Sequence, residues 1–273
     1  MINDSTNPAF DSETEKAATG LVVAAQQTDL HLRPESRIFG QSDNNAAGSE
    51  QYRLLLGRLL HLQTSMSLKR LLVTSAGRGE GKTHVCANLA ITMARETDRR
   101  VLLVDADLRK PDIHRVYGIS NDYGLTDVLR NGHDTWKAIR KARGTNLYVL
   151  TAGSAISQPL TTSSILMLKM LLDQMNAAFD WVIIDSPPVL VAADTPLLAK
   201  LADGILFVVG ASETPRDLVV KAKSMLETVP IVGAVLNRAQ PANAQYASYH
   251  AERDEKAAQS NGKSQRKPGS ILS

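Results

Sequence analysis

The chain has 273 residues, which is enough for one large α/β domain or two small ones with a substantial core. It carries 31 lysines and arginines against 28 aspartates and glutamates, and the resulting net charge of +3 is too small to indicate a nucleic-acid partner. The single cysteine, Cys86, excludes a disulfide framework, and no apolar run approaches the ~20 residues that a membrane-spanning helix requires.

Residues 1–48 are predicted to form a flexible segment, because Ser, Asp, Asn, Thr, Gln and Ala dominate them. They begin with neither the basic residues nor the apolar core of a secretory signal, so we expect a cytoplasmic protein. The short piece GLVVAAQ from Gly20 is compatible with a strand or a docking segment. From Glu50, the leucine-rich EQYRLLLGRLLHLQ predicts an amphipathic helix that Ser49 caps.

A central sheet is predicted for residues 49–240, since apolar strands alternate with helical stretches through this region. Strands that are apolar on both faces are typical of a mostly parallel sheet covered by helices on both sides. The predicted fold class is therefore α/β, and residues 241–273 are predicted to be a flexible tail. The predicted strands are 70–74, 101–104, 147–150, 181–184, 204–209 and 231–236, and the predicted helices are about 81–95, 124–131, 162–178, 195–201 and 214–228.

A phosphate-binding loop is predicted between the first of these strands and its helix. The segment AGRGEGKT, from Ala76 to Thr83, matches the pattern A/G-x-x-x-x-G-K-S/T. Its three glycines let backbone N–H groups point inward at phosphates, Lys82 adds a mobile positive charge, and the Thr83 hydroxyl is suited to bind Mg²⁺. The predicted nucleotide contacts are Gly77, Arg78, Gly79, Glu80, Gly81, Lys82, Thr83 and His84.

Two further strands end in aspartate. VLLVDADLRKP contains Asp105 and Asp107, and WVIIDSPPV contains Asp185. The carboxyl ends of parallel strands share one crevice, so we expect these carboxylates to meet the phosphate loop. Carboxylates packed together repel unless they face Mg²⁺ and cations such as Lys82, and that combination suits γ-phosphoryl transfer with one carboxylate as base. The sequence leaves three roles open for Arg109: countering the negative charge, contacting phosphate or contacting a neighbouring subunit.

The three motifs together resemble the bacterial tyrosine kinases of exopolysaccharide and capsule synthesis. A strand ending D-x-D-x-R accompanies the phosphate loop and the D-S-P-P strand, and the similarity extends over roughly residues 49–238. Further segments, among them GLTDVLRNG and VGAVLNR, follow in the order expected of that family. The resemblance implies a phosphate-loop NTPase fold. It also implies an ATP-dependent, Mg²⁺-dependent protein-tyrosine autokinase that regulates exopolysaccharide chain length or export.

The resemblance also implies roles for individual residues. The implied catalytic residues are Lys82, Asp105 and Asp107. Of the two aspartates, Asp105 is the implied base. The implied metal site comprises Thr83, Asp107 and Asp185. Asn237, at the end of the last predicted strand, falls where related ATPases contact the adenine.

The implied partner is a membrane-spanning chain-length-determinant protein, also called a polysaccharide co-polymerase, and the implied assembly is a ring of identical subunits. The chain is therefore expected at the inner membrane, held there by its partner. Kinases of this family phosphorylate a C-terminal tyrosine cluster on a neighbouring subunit, and Tyr246 and Tyr249 are the candidate acceptors here. The chain departs from the family in having these two tyrosines instead of a dense cluster, in reading EQYRLLL where the ring helix has E-x-x-R-x-x-R, and in lacking the Pro-Asn-Pro loop.

Two alternatives stay open. A kinase-like regulatory subunit of a polysaccharide export complex would bind ATP and assemble but phosphorylate little, and the sparse tyrosine tail is compatible with it. A partition or positioning ATPase would carry a signature lysine five residues before Lys82, where this chain has Gly77. That class also lacks the D-x-D-x-R element, so both features favour the kinase.

Overall fold

The computed structural model describes residues 25–32, 38–39, 47–131 and 135–239. Most of the N-terminal segment and the tail with Tyr246 and Tyr249 therefore lie outside the described residues. The strands are β1 Gln26–Thr28, β2 Arg70–Ser75, β3 Val101–Asp105, β4 Ile139–Ala142, β5 Leu147–Leu150, β6 Trp181–Asp185, β7 Gly204–Gly210 and β8 Ile231–Asn237. The helices are α1 Ala47–Gln63, α2 Lys82–Glu96, α3 Ile113–Tyr117, α4 Leu125–Asn131, α5 Thr135–Ala138, α6 Thr162–Ala178, α7 Thr195–Ala199 and α8 Arg216–Ser224.

The eight strands form one sheet in the order β1-β4-β5-β3-β6-β2-β7-β8. Every neighbouring pair is parallel except β4 and β5, which are antiparallel. The strand of the phosphate loop, β2, lies between β6 and β7, and β3 lies on the other side of β6. The carboxyl ends of β2, β3 and β6 consequently meet at one edge of the sheet, and the predicted α/β class is confirmed.

Helices cover both faces of the sheet. Successive residues of each central strand point to opposite faces, so each strand packs against helices on both sides. Leu71 and Val73 pack on the face that α1 and α2 cover, whereas Leu72 packs on the face that α6 covers. All residues of β2, β3, β5 and β6 are buried. This double coverage explains why the central strands contain runs of consecutive apolar residues instead of an alternating pattern.

The structure differs from the sequence-based prediction mainly at the β1 edge of the sheet. Strands β1 and β4 were not predicted, because Gln-Gln-Thr and Ile-Arg-Lys-Ala are too short and too polar to show a strand pattern. Helix α1 begins at Ala47, so the prediction that Ser49 caps it was wrong; Ser49 is buried within the first turn. Helix α8 is shorter than predicted and ends at Ser224. None of the helices in the described ranges is both long and apolar enough to span a membrane.

Candidate active site

The phosphate loop connects the end of β2 to the start of α2, as its sequence predicts. Gly79 and Gly81 have φ angles of 83° and 86°, in the left-handed region that a residue with a Cβ atom avoids. A Cβ atom at Gly81 would also collide with the side-chain amide of Asn237. Two backbone hydrogen bonds connect the loop to the segment after β6. The Val189 N–H donates to the Ser75 carbonyl at 2.8 Å, and the Leu190 N–H donates to the Ala76 carbonyl at 3.2 Å.

Lys82 points at the D-x-D segment. Its Nζ lies 2.9 Å from Oδ2 of Asp107, and both side chains are largely buried. Burial acts to lower the pKa of Lys82, but the charges of Asp185 and Asp107 and the hydrogen bond to Asp107 outweigh it and raise the pKa above its ordinary value. The lysine is therefore a fixed positive charge, placed where the motifs of three separate strands meet.

Asp105 and Asp185 end the adjacent strands β3 and β6 and are register partners. Oδ2 of Asp105 accepts the backbone N–H groups of Asp112 (3.2 Å) and Ile113 (3.1 Å), at the start of α3. Burial and the charge of Asp185 raise the pKa of Asp105 well above its ordinary value, although these two N–H groups act against the shift. Its other oxygen, Oδ1, is buried without a hydrogen-bond partner among the described residues.

Asp185 is held from the α2 side. The Cys86 thiol lies 3.5 Å from its Oδ1, while its Oδ2 is buried with no hydrogen-bond partner in the described part of the chain. Burial raises the pKa of Asp185 to about 6, although the charge of Lys82 and a hydrogen bond with the Thr83 side chain act to lower it. Two neighbouring carboxylates thus each keep one buried oxygen for which the described residues supply no donor.

The residues present fit a magnesium nucleotide. Within the described ranges, no group of three or more His, Cys, Asp or Glu side chains is arranged to hold a metal ion by itself. The predicted set of Thr83, Asp107 and Asp185 offers one hydroxyl and two carboxylates, so water and phosphate oxygens would complete the coordination, as is usual for Mg²⁺. The buried oxygen of Asp185 and the positive charge of Lys82 are the features that a metal ion and a phosphate group would satisfy.

Arg109 has a partner within the chain. Its Nη2 lies 3.2 Å from Oδ2 of Asp194, and Oδ1 of Asp194 accepts the backbone N–H of Leu160 at 3.1 Å. Of the three roles that the sequence left open for Arg109, the structure shows the guanidinium countering a negative charge, that of Asp194. This ion pair joins the segment after β3 to the start of α7. Asp194 was missed by the sequence analysis, and its position just before Thr-Pro at a helix start was the one available signal.

The other predicted nucleotide contacts lie around the loop. Arg78 is exposed, His84 is half-buried, and Glu80 is buried. The side chain of Asn237 donates to the backbone carbonyl of Glu80 at 2.8 Å, so the last strand touches the phosphate loop directly. Thr214, which donates its hydroxyl to the Glu80 carboxylate, was not predicted, because nothing in its local sequence indicates such a contact. The candidate acceptors Tyr246 and Tyr249 lie outside the described residues.

Comparisons with known proteins identify relatives of the chain. The family model for an AAA domain matches residues 70–216, more than half of the chain. Tyrosine-protein kinase YwqD of Bacillus subtilis is 34% identical over 207 residues, covering 75% of this chain and 87% of that protein. The succinoglycan biosynthesis transport protein ExoP of Rhizobium meliloti is 34% identical over 175 residues, covering 61% of this chain and 22% of that protein. The crystal structure of the chimerical protein CapA2B2 matches with a TM-score of 0.69 at 26% identity, covering 84% of this chain and 99% of that one.

Proposed function

Because the chain belongs to the bacterial tyrosine-protein kinase family, we propose that it transfers the γ-phosphoryl group of ATP to a tyrosine hydroxyl and so regulates exopolysaccharide chain length or export. The observation that carries the proposal is the meeting of Lys82, Asp107 and Asp185 at the end of the phosphate-loop strand. The activity named for YwqD and the biosynthetic role named for ExoP support it.

The loop and Lys82 would bind and orient the triphosphate. Backbone N–H groups of a glycine-rich loop and the N-terminus of α2 attract phosphate oxygens. Lys82 is held beside the loop by Asp107, so its charge is already in place when the nucleotide arrives. Such positioning and charge stabilisation supply most of the catalysis in phosphoryl transfer, since the transition state spreads negative charge over the transferred group.

Thr83, Asp107 and Asp185 would hold the magnesium ion. Mg²⁺ supplies positive charge that neutralises the phosphate oxygens during transfer. The carboxylate of Asp185, which is buried beside Thr83, would stabilise the ion. Of the described residues, Lys82 is the one cation among the principal electrostatic partners of Asp185. Asp107 would then share its two oxygens between the ion and Lys82.

Asp105 is proposed as the base. The tyrosine oxygen forms the new bond to the γ-phosphorus as the bond to the bridging oxygen breaks, ADP leaves, and a carboxylate takes the tyrosine proton. Asp105 keeps Oδ1 free of hydrogen bonds from the described residues, whereas Asp107 is occupied by Lys82. Burial and the charge of Asp185 raise the pKa of this carboxyl group, so it accepts a proton more readily than an ordinary aspartate does.

The proposed partner is a membrane chain-length-determinant protein that holds this kinase at the cytoplasmic face of the inner membrane. ExoP supports this, because it is named as a transport protein and the matched region is only 22% of its length. A homo-oligomeric ring is also proposed, in which one subunit phosphorylates Tyr246 or Tyr249 of the next. No nucleic-acid partner is proposed, given the small net charge.

The test is to incubate the purified full chain with ATP, Mg²⁺ and the cytoplasmic part of the membrane partner, and to detect phosphotyrosine by mass spectrometry. D185N, which replaces one carboxylate oxygen by an NH2 group, is the matched inactive control. Phosphotyrosine in the wild type and its loss in the control support the kinase. If ATP binds but phosphotyrosine never forms, the kinase proposal fails and the regulatory-subunit alternative stands.

A further inference from the structure

Glu80 occupies the apex of the phosphate loop, between Gly79 and Gly81, and is only 5% exposed. Both of its carboxylate oxygens have donors inside the protein. Oε2 accepts the backbone N–H of Gly77 at 2.7 Å, and Oε1 accepts the hydroxyl of Thr214. The carboxylate is therefore held by one donor of the loop itself and one from the segment after β7.

Two partners of Glu80 come from beyond the loop, near the ends of β7 and β8. Thr214 follows β7, and its Oγ1 accepts the backbone N–H of Gly210 at 3.2 Å. Asn237 ends β8 and donates its side-chain amide to the Glu80 carbonyl at 2.8 Å. The loop is thus anchored to the ends of β7 and β8 through one residue. We call Glu80 with Gly77, Thr214 and Asn237 the Glu80 clasp.

We infer that Glu80 is a positioning residue for the nucleotide: it holds the phosphate loop in its binding conformation before the nucleotide arrives. The inference rests on the proposed nucleotide site. Gly77, Gly79 and Gly81 make the isolated loop highly flexible, and the left-handed φ angles at Gly79 and Gly81 are one choice among many. If the competent conformation is populated only in part, the apparent affinity falls by the same fraction.

The charge of Glu80 distinguishes this role from direct phosphate binding. A free carboxylate at a loop apex would repel the phosphates, so a residue selected for contact with them would not be an acid. Glutamine keeps the same shape, can accept from Gly77 with its carbonyl oxygen and can donate to Thr214 with its amide. The clasp therefore depends on hydrogen bonding at position 80, and the charge itself is dispensable.

The experiment uses the full chain and four variants: Glu80→Ala, Glu80→Gln, Thr214→Val and Thr214→Ser. The Kd of a fluorescent ATP analogue, the Tm without nucleotide and the amide hydrogen exchange of the loop peptide without nucleotide are measured for each. We expect E80A to raise the Kd about tenfold, as for a site left with unpaired donors. We expect T214V to raise the Kd less than E80A does. The Kd values of E80Q and T214S should stay within about twofold of the wild-type value, whereas about 1.4 kcal/mol would change the Kd tenfold.

Loop exchange separates positioning from general stability. The clasp predicts faster exchange at Gly77–Lys82 in E80A and T214V, with the peptides of β3 and β6 unchanged. Wild-type Kd and wild-type loop exchange in both variants overturn the inference, as does a Kd in E80Q as weak as in E80A. Should E80A fail to fold, T214V against T214S decides the matter. Because nucleotide binding is measured without phosphotransfer, the kinase proposal can fail while the clasp stands, and the reverse.

Discussion

Asp105 and Asp185 lie side by side, as register partners, at the carboxyl ends of the neighbouring strands β3 and β6, and neither side chain is exposed to solvent. Burial is the main reason that the pKa of each carboxyl group is raised, in Asp185 to about 6. Each also keeps one oxygen for which the described residues supply no hydrogen-bond donor. A cation bound beside these carboxyl groups would stabilise their ionised form.

The first prediction concerns stability and pH. D185N is expected to be more stable than wild type at pH 7 without nucleotide, because a neutral amide replaces a buried carboxylate. The pKa is 3.8 ordinarily and about 6 in the folded chain, a difference that corresponds to up to about 3 kcal/mol. Between those values the folded state binds more protons at Asp185 than the unfolded state does, so the contribution of Asp185 to stability rises as the pH falls from 7 to 4.

Urea unfolding at pH 7 and pH 5, without Mg²⁺ or nucleotide, measures this difference. D185N should exceed wild type at pH 7, and the gap should narrow at pH 5 because wild-type Asp185 becomes protonated. Adding Mg²⁺-ATP should reverse the order, since the variant loses the metal ligand and with it the stabilisation by bound ligand. A D185N protein that is less stable than wild type by the same amount at both pH values contradicts the prediction.

The second prediction separates Asp105 from Asp107. D105N should lower kcat by about 100-fold or more, the usual contribution of a general base, while nucleotide affinity changes little. D107N should instead raise the Mg²⁺ concentration that gives half-maximal activity, because Asp107 is a proposed metal ligand and the partner of Lys82. Steady-state kinetics over a range of Mg²⁺ concentrations distinguishes the two effects. The opposite pattern would exchange the two roles.

The third prediction concerns the ion pair of Arg109 and Asp194. D194A should destabilise the chain by about 1–3 kcal/mol, because the Leu160 N–H and the Arg109 guanidinium both lose an acceptor in a nearly buried setting. D194N keeps an oxygen for Leu160 and should recover part of the loss. Urea midpoints provide the measurement, with a double-mutant cycle against R109A to isolate the pair.

A surface ion pair serves as the matched control for that prediction. Nη1 of Arg115 lies 3.7 Å from Oδ1 of Asp112, and the Arg115 side chain is 70% exposed. R115A should therefore change stability by less than about 0.5 kcal/mol, as exposed pairs usually do. If D194A has as small an effect as R115A, the Arg109 pair does not hold the segment after β3 in place.

The fourth prediction concerns the acceptor tyrosines. The double variant Y246F/Y249F should lose most of the phosphotyrosine formed by wild type, measured by peptide mass spectrometry. Tyr117 is an unsuitable acceptor, because its hydroxyl is buried and donates to the Ala87 carbonyl at 2.7 Å, and burial raises its pKa. The half-buried Tyr123 is the matched control: Y123F should leave the signal unchanged. Undiminished phosphorylation in the double variant would shift attention to Tyr123 or to a separate substrate.

The central strands could be predicted because each is buried on both faces and so contains a run of consecutive apolar residues. β6 shows this clearly: Trp181–Asp185 reads as four apolar residues and a terminal aspartate, and the structure places the strand within one residue of its predicted bounds. β4 could not be found in the same way, since Arg140 and Lys141 remain partly exposed in a strand of four residues. A short strand depends on its partners in the sheet more than on its own composition.

The sequence by itself determined that a phosphate loop and two aspartate-terminated strands share one parallel sheet, because glycine spacing and apolar runs are local properties. Only the tertiary structure decided which side chains meet. Lys82 meets Asp107, Arg109 meets Asp194 and Glu80 meets Thr214 across sequence separations of 25, 85 and 134 residues. These contacts depend on strand order, on register and on where each loop returns to the sheet, and no local pattern encodes those relations.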